Sequence, residues 1–410
     1  MRLLGKKPGD KSPGFLFFLL DCCRHEITII IFPIKRKHIL MKIYADENMP
    51  LVAEFFGHLG PVTLFDGRNV QPADVANAEV LLVRSVTKVD QRLLAKNNVL
   101  QFVGTATIGM DHIEQSYLIK RGVSFSSAPG CNAQSVLEYV LSALWHLAEK
   151  YQWQLSRQTL GIVGVGNIGQ RLAEAAAALD MNVLLCDPPR AVAEADFKHT
   201  PFADVCRQAD IISFHTPMIN TGPTPTKHLL NAESLAMLKP ECALINAARG
   251  AIIDNQALLQ SLQRYHRPVV LDVWENEPAI LQALLPYLEI ATAHIAGHSV
   301  EGKARGTAML YQRLCQQLGQ APLCQLEHLL AIPAVEKVQL SENFGLPDVQ
   351  SLARMLYDVR RDDALFRFHI QREGFDWLRK SYPARREFSS VQLAGTQVPD
   401  WMTQLGFISQ

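Results

Sequence analysis

The sequence predicts an α/β protein: two doubly wound parallel-sheet domains followed by a small α+β module. Short apolar runs alternate with helical patterns along most of the chain, the mark of parallel βαβ units. The alternation occurs twice, and a long apolar helix with no Gly or Pro separates the two series. At 410 residues, 48% hydrophobic and 20% charged, the chain has room and apolar material for two or three cores.

In the first series, strands are expected at 42–45, 61–65, 80–83, 102–104 and 123–126, with helices at 50–59 and 91–96. After the breaker pair Pro129-Gly130, residues 135–150 read as one helix suited to cross between domains. The second series has strands at 159–163, 182–186, 211–214, 243–246, 269–273 and 289–291. A helix at 301–318 is then placed to pack back on the first domain. From about Gln325, past Pro333, the chain is too short for another doubly wound domain. The expected division is 41–138 completed by 298–325, then 139–297, then 326–410.

Residues 1–40 differ from the rest. They carry eight Lys and Arg against three Asp and Glu, a net +5, which leaves −5 for the remaining 370. Their apolar runs are too short for a signal peptide or membrane helix. They read as an unstructured extension or as sequence ahead of a true start at Met41. Formal net charge is zero, so nothing global points to nucleic acid. The eight cysteines form no C-x-x-C pair, so no zinc or redox motif is indicated, and they fit a reducing cytosol.

The strongest motif is Leu160-Gly161-Ile162-Val163-Gly164-Val165-Gly166-Asn167-Ile168-Gly169, a strand entering and a helix leaving a glycine loop. Gly164 permits the tight turn, Gly166 lets backbone approach a pyrophosphate, and Gly169 lets helix and strand pack closely. The second strand ends in Asp187, a carboxylate that can bond the ribose hydroxyls and repel a 2′-phosphate. This is a Rossmann pattern that favours NAD over NADP, although Arg190 lies nearby. Thr216 follows the next strand and can reach the same cofactor.

Three further residues follow strands of this sheet: Arg249, Glu277 and His294. A planar guanidinium can grip a carboxylate bidentately. A carboxylate beside an imidazole favours the protonated ring, which suits a general acid–base. Arg84, Ser85, Thr87 and Lys88 cluster after the strand at 80–83, a set of cations and hydroxyls fit for a phosphate.

The stretches 159–169, 246–250, 271–278 and 294–297 resemble the D-isomer-specific 2-hydroxyacid dehydrogenases. That resemblance implies a flavodoxin-like substrate domain, a Rossmann NAD domain and a cleft between them. It implies Arg249, Glu277 and His294 as the catalytic set, with histidine as acid–base. It implies NAD contacts from Ala247, Ala248, Arg249, Asp272 and Gly297 beside Gly164, Gly166, Asn167, Ile168, Gly169, Asp187 and Thr216.

One branch of the family is resembled further in Asp46-Glu47-Asn48-Met49-Pro50, Val83-Arg84-Ser85-Val86-Thr87-Lys88, Pro129-Gly130-Cys131-Asn132, Cys186-Asp187-Pro188-Pro189 and Tyr357-Asp358-Val359-Arg360-Arg361-Asp362-Asp363. This likeness runs from Met41 nearly to the C-terminus. It implies a phosphorylated hydroxy acid bound by Ser85, Thr107 and Arg84, and a C-terminal dimerisation domain in a cytoplasmic homodimer. The branch often has Tyr where this chain has His298, and Pro where it has Ala293. Arg354, Arg360, Arg361 and Arg367 could face a partner subunit, with Arg360 or Arg361 reaching its active site. Two alternatives stay open: another acid such as 3-phosphoglycerate with a regulatory last module, and a non-catalytic NADH sensor.

Overall fold

The computed structural model describes residues 40–395 and 398–409, so the extension at 1–39 lies outside it. Two parallel sheets dominate. The first has strands β1 (Ile43–Asp46), β2 (Val62–Phe65), β3 (Val80–Val83), β4 (Phe102–Thr105) and β5 (Ser124–Ser126) in the order β2-β1-β3-β4-β5. This is the flavodoxin-like order. The second has β6 (Thr159–Val163), β7 (Asn182–Cys186), β8 (Ile211–Phe214), β9 (Ala243–Asn246), β10 (Val269–Leu271) and β11 (Ile290–Ala291), ordered β7-β6-β8-β9-β10-β11. Beyond β7, where a Rossmann sheet adds an outer strand, an irregular segment makes one backbone bond from Thr200 to Leu185.

Burial explains the strand sequences. The inner strands β3, β8 and β9 are buried at every residue, so they read as apolar runs rather than alternations. The edge strand β2 exposes Thr63 and Leu64. The helix Ala133–Lys150 buries thirteen of its eighteen residues and joins the two sheets. The helix Val300–Leu318 returns to the first sheet, where Tyr311 packs on Phe55 and Phe56. Its N-terminus is capped by the Ser299 hydroxyl, which accepts from Gly302 N–H at 2.8 Å.

A third, three-stranded parallel sheet has β12 (Lys337–Gln339), β13 (Gln392–Ala394) and β14 (Ile408–Ser409). It accompanies the helices Leu346–Leu356, Val359–His369 and Phe375–Lys380.

The helix expected at 91–96 is absent. Asp90 accepts at its side chain from Leu93 N–H, and Ala95 and Asn97 close tight three-residue turns onto Arg92 and Leu94. A helix at Gln115–Lys120 was not anticipated; it buries only Leu118, too little to leave an apolar stripe in the sequence. The six cysteines among the described residues are free, five of them buried. Among these residues no helix is long and apolar enough to cross a membrane.

Candidate active site

A cleft of about 1380 Å³ opens between the first and second sheets, at the carboxyl ends of their strands. The chain runs from β7 back across β6 to β8, so a topological switch point lies between β6 and β8, where ligands of open α/β sheets bind. Gly164 sits there with φ +90°, and a Cβ on it would lie 2.7 Å from the His215 carbonyl carbon. Gly166 has open space where a side chain would be. A Cβ on Gly169 would fall 2.0 Å from the Gly164 carbonyl oxygen, so only glycine lets the helix Asn167–Ala178 start this close. Its first N–H groups face the cleft and suit a pyrophosphate.

The rest of this cradle fits NAD. Thr216 has a buried hydroxyl with no protein partner, and it lines the cleft. Asp187 also lines the cleft, and its carboxylate accepts from Val165 N–H at 2.8 Å and Arg190 N–H at 3.0 Å. Those bonds hold it in place and leave lone pairs for a ribose. The Arg190 guanidinium is engaged with Glu194 and the Val165 carbonyl. Ala247, Ala248 and Ile168 complete the wall.

On the same edge of this sheet, His294 Nδ1 lies 2.8 Å from Glu277 Oε2, and Trp274 N–H donates to Glu277 Oε1 at 2.9 Å. With a carboxylate on Nδ1, that nitrogen carries a proton, and Nε2 is left free. Burial alone would raise the Glu277 carboxyl. The His294 bond and charge, with the Trp274 N–H bond and the Arg379 charge, outweigh it and hold the group below its usual range. His294 has φ +56°, the left-handed region that a non-glycine residue adopts only when held. Asp272 does the holding: it accepts from Thr292 Oγ1, Ile295 N–H and Ala296 N–H at 2.7, 2.8 and 3.0 Å. Two of these donors meet Oδ1 and one meets Oδ2, so the carboxylate is fixed within the loop and keeps acceptor capacity on Oδ2, and Asp272 lines the cleft. Arg249 lines the same cleft, with Nη1 bonded to the Ala248 carbonyl. Gly297 lets Asn132 approach, since a Cβ there would lie 2.1 Å from the Asn132 amide nitrogen.

The first domain brings Arg84, Ser85 and Thr107 to the opposite wall. Arg84 Nε pairs with the buried Asp46 at 3.0 Å, and the Thr107 hydroxyl donates to the Gly109 carbonyl. The phosphate cluster expected from sequence is only half present. Thr87 is buried and donates to the Gly67 carbonyl, and Lys88 is exposed beside Asp90, so neither lines the cleft. Lys303 and Arg379 line it instead, and sequence reasoning missed both. His298 also lines the cleft. Burial, with cations around it, pushes its imidazole well below the ordinary histidine range, so it is neutral. Asn132, with a buried unpartnered Oδ1, was likewise missed; its place beside the breaker pair Pro129-Gly130 was the available signal. Three of the arginines read as a partner-facing run are engaged within the chain: Arg354 with Glu149, Arg360 with Asp358, Arg367 with Asp363.

Residues 132–297 match the family D-isomer specific 2-hydroxyacid dehydrogenase, NAD binding domain, and residues 329–406 match a domain of unknown function. Erythronate-4-phosphate dehydrogenase of Colwellia psychrerythraea strain 34H is 49% identical over 391 residues, 90% of this chain and 99% of that one. The enzyme of the same name from Aeromonas hydrophila is 49% identical over 375 residues, 90% of this chain and 100% of its own. Among solved structures, NAD+-bound 3-phosphoglycerate dehydrogenase of Entamoeba histolytica shares the fold with a TM-score of 0.59 at 20% identity, covering 68% of this chain and 95% of that one.

Proposed function

The chain belongs to the erythronate-4-phosphate dehydrogenases, within the D-isomer specific 2-hydroxyacid dehydrogenases, and from that premise we infer that it oxidises 4-phospho-D-erythronate with NAD+ in pyridoxal 5′-phosphate (vitamin B6) synthesis. The product is (R)-3-hydroxy-2-oxo-4-phosphooxybutanoate. The observation that carries this reading is the His294–Glu277 pair, 2.8 Å apart, in one cleft with Arg249 and the glycine loop.

Bound NAD+ supplies the hydride acceptor. The protein supplies everything else. Arg249 grips the substrate carboxylate and fixes C2 in front of the cofactor cradle. His294 Nε2 takes the C2 hydroxyl proton, and Glu277 stabilises the imidazolium that results. Ser85 and Thr107 offer hydroxyls to the substrate from the opposite wall. Removing the base should cost about 10² to 10⁴ in kcat. NADH formation from 4-phosphoerythronate tests this on wild type and on His294→Ala. Turnover surviving the substitution, or a wild type that uses only D-lactate or glycerate, overturns the assignment. A wild type with no turnover at all would point to an NADH sensor.

We further propose a cytoplasmic homodimer built through residues 326–410. Free cysteines suit a reducing compartment, and Phe368 and Leu365 are exposed on the helix Val359–His369. Sedimentation equilibrium of the full chain that gives a monomer at micromolar concentration refutes the dimer.

A further inference from the structure

The substrate side of the cleft gathers three cations, Arg84, Lys303 and Arg379, of which, among the described residues, only Arg84 makes an ion pair, with Asp46. Lys303 comes from the first turns of the helix Val300–Leu318, and Arg379 from the short helix Phe375–Lys380 of the C-terminal module. Both line the cleft, and among the described residues neither has an ion-pair partner. The charges acting on Lys303 are Arg84 and Arg379, both cations. Those acting on His298 are Lys303, Arg379, His294 and Arg84. Two buried nitrogens at this place, Arg379 Nε and His298 Nδ1, have no hydrogen-bond partner. Arg84 commits only its Nε, to Asp46.

Cations close together in a half-buried site repel, and a buried donor without an acceptor, here Arg379 Nε, costs free energy. A dianion with several acceptor oxygens removes both penalties at once. A phosphate monoester has that charge and shape, and guanidinium and ammonium groups are its usual protein partners.

We propose that Arg379 joins Lys303 and Arg84 to bind the phosphate of the substrate, with His298 beside them. The region that matches a domain of unknown function thereby completes the active site of its own chain. This rests on the phosphorylated-substrate reading above. Arg379 is also felt by Glu277 and Asp272, so a competing role is to position the catalytic pair.

The test compares 4-phosphoerythronate with unphosphorylated D-erythronate on full-length protein, with inorganic phosphate as a competitive inhibitor. Arg379→Gln should raise KM for the phosphorylated substrate about tenfold to hundredfold, and much less for erythronate. Inhibition by inorganic phosphate should weaken by a similar factor, and Arg379→Lys should recover part of the loss. Lys303→Gln, on a separate element, should act in the same direction. It carries the test if Arg379→Gln no longer binds NADH by fluorescence titration. Equal losses on both substrates, with a fall in kcat and a shifted pH profile, would make Arg379 a positioning residue for Glu277 and overturn the proposal. Unchanged phosphate inhibition in both variants would overturn it as well. Failure of the enzyme assignment looks different: wild type would be inert on 4-phosphoerythronate.

Discussion

Where the C-terminal module meets the helix Ala133–Lys150, the contact is buried and polar; where its far end meets the first domain, it is one exposed ion pair. At the buried end, Glu387 is fully buried and accepts from Ser135, Ser299 and Arg305, all within 2.9 Å. Arg385 lies beside it, over the Tyr357 ring and bonded to the Ser135 carbonyl at 2.7 Å. At the far end, Arg68 and Asp376 pair at 3.1 Å with side chains 46% and 51% exposed. Burial makes the first attachment expensive to break, whereas water screens the second. The module is thus bolted to the joint between the domains, its helix Phe375–Lys380 buries Phe375 and Leu378 in the core of the second domain, and only its reach to the first domain is a tether. Arg379 sits at the tethered end, three residues from Asp376.

The largest expected effect is at the bolt. Glu387→Ala leaves Arg305 without its carboxylate and should destabilise the fold by about 3–5 kcal/mol, read from urea midpoints. A loss under about 1 kcal/mol would show that the two attachments do not differ in kind.

A smaller effect depends on pH. Burial pushes Asp362 up to about 6, against the Tyr357 and Tyr382 hydroxyls that donate to it at 2.8 and 2.9 Å. Folded protein then keeps a proton between about pH 4 and 6 that the unfolded chain releases. Stability from this group is therefore lost as pH rises through that window, by at most about 3 kcal/mol. Asp362→Asn should flatten that part of the stability–pH curve, and an unchanged slope would remove Asp362 as its source.

The smallest effect belongs to the tether. Asp376→Asn should change stability by no more than about 1 kcal/mol, and added salt should erase the difference. A cost comparable to that of Glu387→Ala would make the far end a second bolt.

The nucleotide side of the cleft was far more legible in sequence than the substrate side. The loop Gly164–Gly169 follows β6 directly and opens the next helix, so one short stretch carries turn, phosphate cradle and packing. Arg249 and His294 each lie a few residues past a strand, so the strand order alone carried them to one edge. The cation wall is different. Arg84, Lys303 and Arg379 come from three segments far apart in sequence, and only the return of the last helices brings them together. Thr87 misled because hydroxyl and charge patterns do not reveal which side of a turn faces inward; it is bonded to the Gly67 carbonyl. The stretch 91–96 misled because six residues are too few to separate a helix from successive turns.

Asp272 was expected against the nucleotide, and its three donors from Thr292, Ile295 and Ala296 give it another consequence. The same Thr292 hydroxyl meets Tyr139 of the long helix at 2.8 Å, so the loop is anchored to the joint between the domains. In the mechanism proposed above, proton transfer at His294 changes the local charge at every turnover, and a loose loop would answer by turning its peptide dipoles. Here those dipoles are already committed to a fixed carboxylate. The reorganisation that would otherwise recur in each catalytic cycle was completed once, when the chain folded.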